Sequence, residues 1–246
     1  MGEVSIRLLQ GEPDAGTLRR LYDAVIAPSF PPAEREPFEK LKQRLSADEL
    51  LGAVATTPDG EPVGALFLEW FADVRAALLC YFAVRPDLRG QGIGRRLVAV
   101  AGAHWRAALE PHVVFAEAGD PGAARDGGSE YGDDDARLRL YAGFGGRRLP
   151  IPYLMPELMP GAGRLPDLLL LVIEADEAVS PAPDRIRSTL VEDFLVRYFA
   201  RVEGRAVSEN DDQLQELLAA CRRTAYLPLL GLSGVDQRAG VTRPDS

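Results

Sequence analysis

The sequence has only two cysteines and two histidines in 246 residues. Cys80 and Cys221 lie far apart, and neither has a neighbour at metal-ligand spacing. The sequence therefore predicts neither a disulfide framework nor a zinc site, and we expect no metal. His104 and His112 are interpreted as structural residues rather than catalytic ones.

Long apolar runs and excess positive charge are also absent. The longest apolar run covers residues 168–173, far short of the roughly 20 residues needed to span a bilayer. No basic-then-apolar signal pattern stands at the N-terminus, so we expect a cytoplasmic protein without a membrane partner. The net charge of −9 argues against non-specific nucleic-acid binding and mildly favours cationic partners. The 46% of apolar residues suffices for an ordinary globular core.

The most informative stretch runs over residues 77–108 and predicts a strand, a glycine loop and a helix. Glycines at alternate positions, Gly90, Gly92 and Gly94, let the backbone approach a ligand, and the helix that follows offers unpaired N–H groups. Phosphate oxygens suit such a site, and nearby arginines would pair with them. The Lys-Ser/Thr pair of a P-loop is missing, and Leu97 replaces the third glycine of a dinucleotide fingerprint. A plain tight turn between strand and helix would also explain the glycines.

Two motifs resemble those of the GNAT superfamily of N-acetyltransferases. Residues 84–94, VRPDLRGQGIG, are similar to its acyl-CoA-binding motif. Residues 139–145, RLYAGFG, resemble its Leu-Tyr-x-x-x-Gly-Phe element, although Phe144 stands closer to Tyr141 than in the common form. The resemblance covers about residues 3–175. It implies an α/β (α+β) fold with a central, mixed, mostly antiparallel twisted sheet flanked by helices.

The resemblance also implies a reaction, the transfer of an acetyl group from acetyl-CoA to a primary amine by direct attack on the thioester. Acetyl-CoA would be the acyl-donor substrate. The residues expected to bind it are Phe82, Ala83, Val84, Arg89, Gly90, Gln91, Gly92, Ile93, Gly94 and Arg95.

Candidate catalytic residues follow from the same resemblance. Tyr141 matches the family's general acid, with an ordinary core tyrosine as the alternative. Glu117, at the end of an apolar strand, is the first candidate for the general base and Glu69 the second; Glu117 would otherwise be a carboxylate that reaches solvent. Some GNAT proteins have an acidic residue on the strand before the loop, where this sequence has Cys80 and Tyr81 instead.

The acceptor side is less defined. The resemblance places Phe30 beside the acceptor groove, unless it anchors a stiff proline-rich loop, and we also assign Tyr81 to substrate binding. A small-molecule or peptide amine is the expected acceptor. A sensor or interaction module that binds acyl-CoA without turnover is the alternative function, and a donor other than acetyl-CoA also stays open.

The sequence predicts an acetyltransferase domain over residues 1–178 and a C-terminal helical extension with a disordered tail over 179–246. Apolar stripes there indicate a helical hairpin that packs on the sheet, covers the acceptor groove or makes a homodimer contact. Strands are expected at 147–151 and at 165–174, the latter closing the sheet. Residues 119–135 are expected to form a mobile loop.

Overall fold

A computed structural model describes residues 4–9, 14–123 and 131–232. The strands are β1 (Ser5–Leu9), β2 (Leu50–Thr56), β3 (Pro62–Phe71), β4 (Ala76–Val84), β5 (Val113–Gly119), β6 (Arg147–Arg148), β7 (Leu168–Ala175), β8 (Arg185–Arg187), β9 (Tyr226–Pro228) and β10 (Leu230–Gly231). Eight of them form one sheet in the order β1-β2-β3-β4-β5-β7-β6-β10. β4 and β5 pair in parallel, and the other neighbours pair antiparallel. The predicted mixed, mostly antiparallel sheet is confirmed.

Helices cover both faces of this sheet. They are α1 (Ala15–Leu21), α2 (Phe38–Ser46), α3 (Ile93–Leu97), α4 (Ala103–Leu109), α5 (Asp134–Ala142), α6 (Ser188–Glu203) and α7 (Asp212–Arg222). A π-helical turn at Val98–Gly102 joins α3 to α4. Asp14, Asp133 and Asp211 cap α1, α5 and α7 by accepting hydrogen bonds from first-turn N–H groups. In the described part of the chain, no helix has the length and apolarity required to cross a membrane.

Successive side chains of β3 point to opposite faces of the sheet. Phe67 belongs to a buried cluster with the α1 and α2 side chains, whereas Leu66 packs in a second cluster that contains Leu97 of α3. α6 lies on the first face, where Phe194 contacts Phe71 of β3 and Phe115 of β5 with ring centroids 5.2 and 4.3 Å apart. The α3, α4 and α5 helices thus share one face, and α1, α2 and α6 share the other.

A bulge in β4 positions the candidate site. β3 residue Phe67 pairs with Tyr81 and Leu68 with Leu79, so Cys80 is the extra residue. An extra residue reverses the alternation of the side chains that follow it. Tyr81 consequently faces α1 and α2, and Phe82 faces α3 and α5.

The parallel pair opens at the same point. The pairing of β4 with β5 runs from Ala76↔Val113 to Leu79↔Ala116 and stops there. Beyond it β4 stays paired with β3 and β5 with β7. Within the described residues, the β5 side of β4 from Cys80 to Val84 therefore has no partner strand.

Several expectations for the C-terminal half need correction. β7 does not close the sheet, because β6 and β10 lie beyond it. The strand expected at 147–151 is limited to Arg147–Arg148, since Pro150 and Pro152 lack the N–H groups that would extend it. The short strands β8, β9 and β10 were not predicted. The disordered tail, expected in the last dozen residues, and the loop residues 124–130 lie outside the described residues.

The two predicted C-terminal helices are present as α6 and α7. Of the three roles left open for them, the structure shows packing on the sheet, because α6 and α7 side chains share a buried cluster with β4, β5 and β7. The sequence alone could not choose among these roles, since an apolar stripe does not specify the surface that covers it.

Candidate active site

A cavity of about 630 Å³ lies in front of the glycine loop. It is bounded by the end of β4, the loop, the start of α3 and the start of α5. Nine of the ten residues predicted to bind acetyl-CoA line it: Phe82, Ala83, Val84, Arg89, Gly90, Gly92, Ile93, Gly94 and Arg95. Gln91 is exposed and is not among the lining residues.

The conformation of this loop depends on its glycines. Gly90 and Gly92 adopt φ values of 79° and 81°, which side chains with a Cβ rarely adopt. Gly94 approaches Phe82 so closely that a Cβ there would lie 3.1 Å from the ring. Gly92 is the N-cap of α3, so the N–H groups of the first helical turn face the cavity without intrahelical partners. The loop thus presents a backbone donor surface suited to an anion.

Three arginines line the same cavity, and two of them, Arg89 and Arg137, make hydrogen bonds to Ser29. Arg89 donates hydrogen bonds to the Val84 carbonyl oxygen at 3.1 Å and to Ser29 Oγ at 3.1 Å. Arg137 of α5 donates to the Ser29 carbonyl oxygen at 3.2 Å. Burial, and secondarily the charge of Arg137, lower the pKa of Arg89. These two guanidinium groups lie at the same cavity, where a bound dianion would pair with them.

Glu117 lies where β4 and β5 separate. It follows Ala116, the last β5 residue paired with β4, and its side chain is part-buried. Tyr153 donates a short hydrogen bond to Glu117 Oε1, and the Tyr198 hydroxyl lies 3.3 and 3.2 Å from the two carboxylate oxygens. Desolvation raises the pKa of Glu117 to about 7, against the opposing effect of these hydrogen bonds. The carboxylate can therefore accept or release a proton near neutral pH.

Tyr141 of α5 belongs to the buried cluster on the α3 side of the sheet. It is 3% exposed, and its ring centroid is 6.4 Å from that of Phe82. Burial raises the pKa of Tyr141 to about 12, with a lowering contribution from Arg137 and a raising one from Glu117. The phenol is therefore neutral, and its hydroxyl makes no hydrogen bond to any residue that the structure describes. A smaller apolar cavity of about 80 Å³ lies behind Tyr141 and Phe82.

Glu69, the second candidate base, is held in a buried ion-pair network. It is 1% exposed, and its oxygens lie 2.9 Å from Arg44 of α2 and 3.1 Å from Arg201 of α6. Arg44 also pairs with Glu36 at 2.9 Å. Desolvation disfavours the Arg44 charge, yet the charges of Glu69 and Glu36 outweigh it and raise the pKa of Arg44. Glu69 thus links α2, β3 and α6, and its oxygens already have cationic partners.

The two residues predicted to bind the acceptor contact each other. The rings of Phe30 and Tyr81 pack edge to face with centroids 5.3 Å apart. The Tyr81 hydroxyl accepts a hydrogen bond from the Glu36 backbone N–H at 2.9 Å, and the Arg137 guanidinium lies over Phe30 at 5.2 Å. Tyr81 therefore anchors the α1–α2 segment to β4, and Phe30 connects that segment to α5.

Sequence reasoning missed Arg137, Tyr153 and Tyr198. Arg137 precedes Tyr141 by four residues on a predicted helix, a spacing that places both on one helix face, so a signal for it was present. Tyr198 falls within the apolar stripe of the C-terminal helix, and this spacing indicates only that the residue packs against another surface. No sequence signal connects Tyr153 or Tyr198 with Glu117, because the three belong to elements that only the tertiary fold brings together.

Comparisons with known proteins agree with this geometry. Residues 18–119 match the family model described as "Acetyltransferase (GNAT) family". A search of curated protein sequences found no match.

Among solved structures, a protein from Bacteroides thetaiotaomicron described as a GNAT-family acetyltransferase aligns with a TM-score of 0.55 at 18% identity, over 79% of this chain and 98% of its own. A dodecameric spermidine N-acetyltransferase from Vibrio cholerae aligns with a TM-score of 0.50 at 15% identity, over 73% of this chain and 98% of its own. At these identities the alignments show the fold. Residues 18–119 therefore match the model of the GNAT acetyltransferase family, and the chain has the same fold as the GNAT-family structure from Bacteroides thetaiotaomicron.

Proposed function

We propose that this protein transfers an acetyl group from acetyl-CoA to a primary amine by direct attack of the amine on the thioester. One observation carries this proposal above the others. Glu117, a carboxylate with a pKa of about 7, lies at the opening between β4 and β5, and β4 leads from that opening to an arginine-rich, backbone-lined cavity. A proton acceptor and an anion site are thus joined by one free strand edge.

The donor would bind along this edge. The N–H groups at the start of α3 and the guanidinium groups of Arg89 and Arg137 suit the pyrophosphate. The edge of β4 from Cys80 to Val84, which has no partner strand on the β5 side among the described residues, suits an extended amide chain such as pantetheine, which would add to the sheet as a strand does. Such positioning of both reactants contributes roughly 7–11 kcal/mol to barrier lowering in well-oriented reactions.

We assign proton removal to Glu117. The acceptor ammonium first gives a proton to the Glu117 carboxylate. The nitrogen of the free amine then forms a bond to the thioester carbonyl carbon, the C–S bond breaks, and the nitrogen loses its second proton as the CoA thiolate takes up a proton. A base with a pKa near the working pH is well matched to this step. Glu69 is less suited, because Arg44 and Arg201 already occupy its oxygens.

We assign stabilisation of the departing sulfur to Tyr141. Its phenol is neutral because burial raises the pKa to about 12, and its hydroxyl has no other partner among the described residues. A neutral O–H donor at the opening between the strands stabilises negative charge as it develops on the thiolate, and the proton can follow.

The acceptor class follows from charge. Glu117 is influenced by the carboxylates Glu34 and Glu69, and the whole chain carries a net charge of −9. This environment favours an acceptor that arrives as a cation, such as an aliphatic ammonium group on a small molecule or a peptide.

The proposed function is tested by thiol release from acetyl-CoA in the presence of pooled primary amines, followed with a chromogenic thiol reagent. We expect release that depends on the amine. Burial raises the pKa of both cysteine thiols, that of Cys221 to about 12, so the protein itself contributes little background. Tight acetyl-CoA binding without release from any pool would instead support the alternative of a non-catalytic acyl-CoA sensor.

Arg137→Ala tests the donor site. Loss of one charge-assisted contact to the pyrophosphate is expected to raise the Kd for CoA by about 10- to 100-fold. The matched control is Arg139→Ala on the same helix, because Arg139 is exposed and pairs with Asp133. Isothermal titration of CoA into the two variants measures the difference, and equal Kd values would contradict a role for Arg137 in anion binding.

A further inference from the structure

Helix α6 brings two side chains onto the acidic residues of the sheet. Tyr198 reaches Glu117 of β5, and Arg201, three residues later on the same helix face, reaches Glu69 of β3. α6 lies outside residues 18–119, the part that the family model matches. A segment expected from the sequence to be an extension therefore contacts the candidate base directly.

The position of Tyr198 is fixed by packing. The residue is 3% exposed, and its ring stacks on Phe194 with centroids 5.6 Å apart and packs edge to face against Phe71 and Phe199 at 6.1 and 6.2 Å. A ring held on several sides has one direction in which to present its hydroxyl. That direction leads to both oxygens of Glu117.

We propose that Tyr198 is a positioning residue that, together with Tyr153, orients the Glu117 carboxylate and adjusts its basicity, so that helix α6 completes the active site. This inference rests on the proposed function, in which Glu117 accepts the proton of the acceptor amine. The two phenols donate hydrogen bonds to the charged carboxylate and leave part of it accessible.

The environment of Glu117 explains why such donors matter. Two tyrosines contact the carboxylate, Tyr153 from the segment before β7 and Tyr198 from α6. Four further titratable groups interact with it electrostatically: Glu34 from the segment between α1 and α2, Glu69 from β3, Cys80 from β4 and Tyr141 from α5. Desolvation and the two carboxylates favour the protonated form of Glu117, whereas the tyrosine hydrogen bonds favour the ionised form. The tyrosines thus keep the base ionised at pH values where it would otherwise be protonated.

Tyr198→Phe removes one donor and keeps the ring. Because the lost hydrogen bond stabilised the ionised form, we expect the midpoint of the acidic limb of kcat/KM against pH to rise by about one pH unit. The high-pH plateau should stay within roughly threefold of wild type, since the base itself is retained. Tyr153→Phe should move the limb in the same direction. Tyr226→Phe, which alters an exposed tyrosine on β9, is the matched control and should leave the profile in place.

A second, nearly isosteric variant tests the proposal even if Tyr198→Phe does not fold. Replacing Tyr198 by 3-fluorotyrosine makes the phenol a stronger donor, so the midpoint should move to lower pH. A limb that stays in place in both variants, or activity that falls uniformly across pH in Tyr198→Phe, would overturn the proposal and leave Tyr198 as a packing residue.

A direct titration separates this inference from the proposed function. The carboxyl carbon of Glu117 can be followed by NMR in protein labelled with ¹³C-glutamate, its signal assigned by its loss in Glu117→Gln. We expect its titration midpoint to rise in Tyr198→Phe relative to wild type and to Tyr226→Phe, whether or not any amine is acetylated. An unchanged midpoint would refute the action of Tyr198 on Glu117, whereas absent acetyl transfer with a shifted midpoint would refute only the proposed function.

Discussion

Glu117→Gln is expected to lower kcat/KM for amine acetylation by about 10²- to 10⁴-fold, the range that general-base catalysis contributes. Glutamine keeps the size of the side chain and can still accept the tyrosine hydrogen bonds, but it cannot accept a proton. Since the pKa of Glu117 is about 7, the ratio of wild type to variant should be greatest above pH 7. It should narrow about tenfold for each pH unit below pH 6, where wild type is itself protonated. Rates of thiol release across pH measure this ratio.

Glu174→Gln is the matched control for this substitution. Glu174 lies on β7, next to β5, and its carboxylate is part-exposed and paired with Arg106. We expect its activity to stay within about twofold of wild type, because surface ion pairs contribute little. A ratio for Glu117→Gln that does not change with pH would contradict its role as the base and would move that role to another group.

Glu117→Gln should also be more stable than wild type at high pH. The pKa of Glu117 is about 7 in the folded protein and 4.5 ordinarily, so folding favours the protonated form. The corresponding stability is present below pH 4.5 and is lost as the pH rises through 7. Glutamine does not ionise, so at pH 8 Glu117→Gln is expected to exceed wild type in unfolding free energy by up to about 3 kcal/mol. Denaturant unfolding at pH 5 and pH 8 tests the sign.

The glycine-loop side of the candidate site was predictable from the sequence because it is local. The strand that ends in Val84, the loop glycines and α3 follow each other directly, and each is specified by its own residue types. Gly90 and Gly92 adopt the positive φ values that alternate glycines permit, and Gly94 approaches Phe82 closely. Local residue types therefore predicted the strand, the loop and the helix, and the resemblance to the GNAT motif indicated which of their residues line the cavity.

The part of the site around Glu117 and Tyr81 was less predictable, because it depends on strand register and on segments that are distant in sequence. One extra residue, Cys80, reverses the alternation of β4 and decides which faces Tyr81 and Phe82 occupy, yet nothing in the apolar run marks it as a bulge. Likewise, the partner of Tyr198 lies 81 positions away along the chain. Helical spacing indicates that Tyr198 is buried but not that its hydroxyl meets a carboxylate.

Tyr141→Phe is expected to lower kcat about 100-fold while the Kd for acetyl-CoA stays within about threefold of wild type. The hydroxyl stabilises charge that appears on the sulfur only as the C–S bond breaks, so its loss should affect the transition state rather than ground-state binding. Phenylalanine preserves the buried ring beside Phe82, and the fold should be unaffected. Amine-dependent thiol release gives kcat, and titration calorimetry gives Kd.

The pH profile separates this role from that of Glu117. In Tyr141→Phe, the acidic limb of kcat/KM against pH should keep the midpoint of wild type. The wild-type Tyr141 hydroxyl makes no hydrogen bond to Glu117, so its removal leaves the base intact. Tyr226→Phe again serves as the matched control for the loss of one phenol. Wild-type kcat in Tyr141→Phe would show that Tyr141 is an ordinary core tyrosine and that the leaving thiolate is stabilised elsewhere. A lowered kcat with an unchanged limb would place Tyr141 on the sulfur side and Glu117 on the amine side of one reacting thioester.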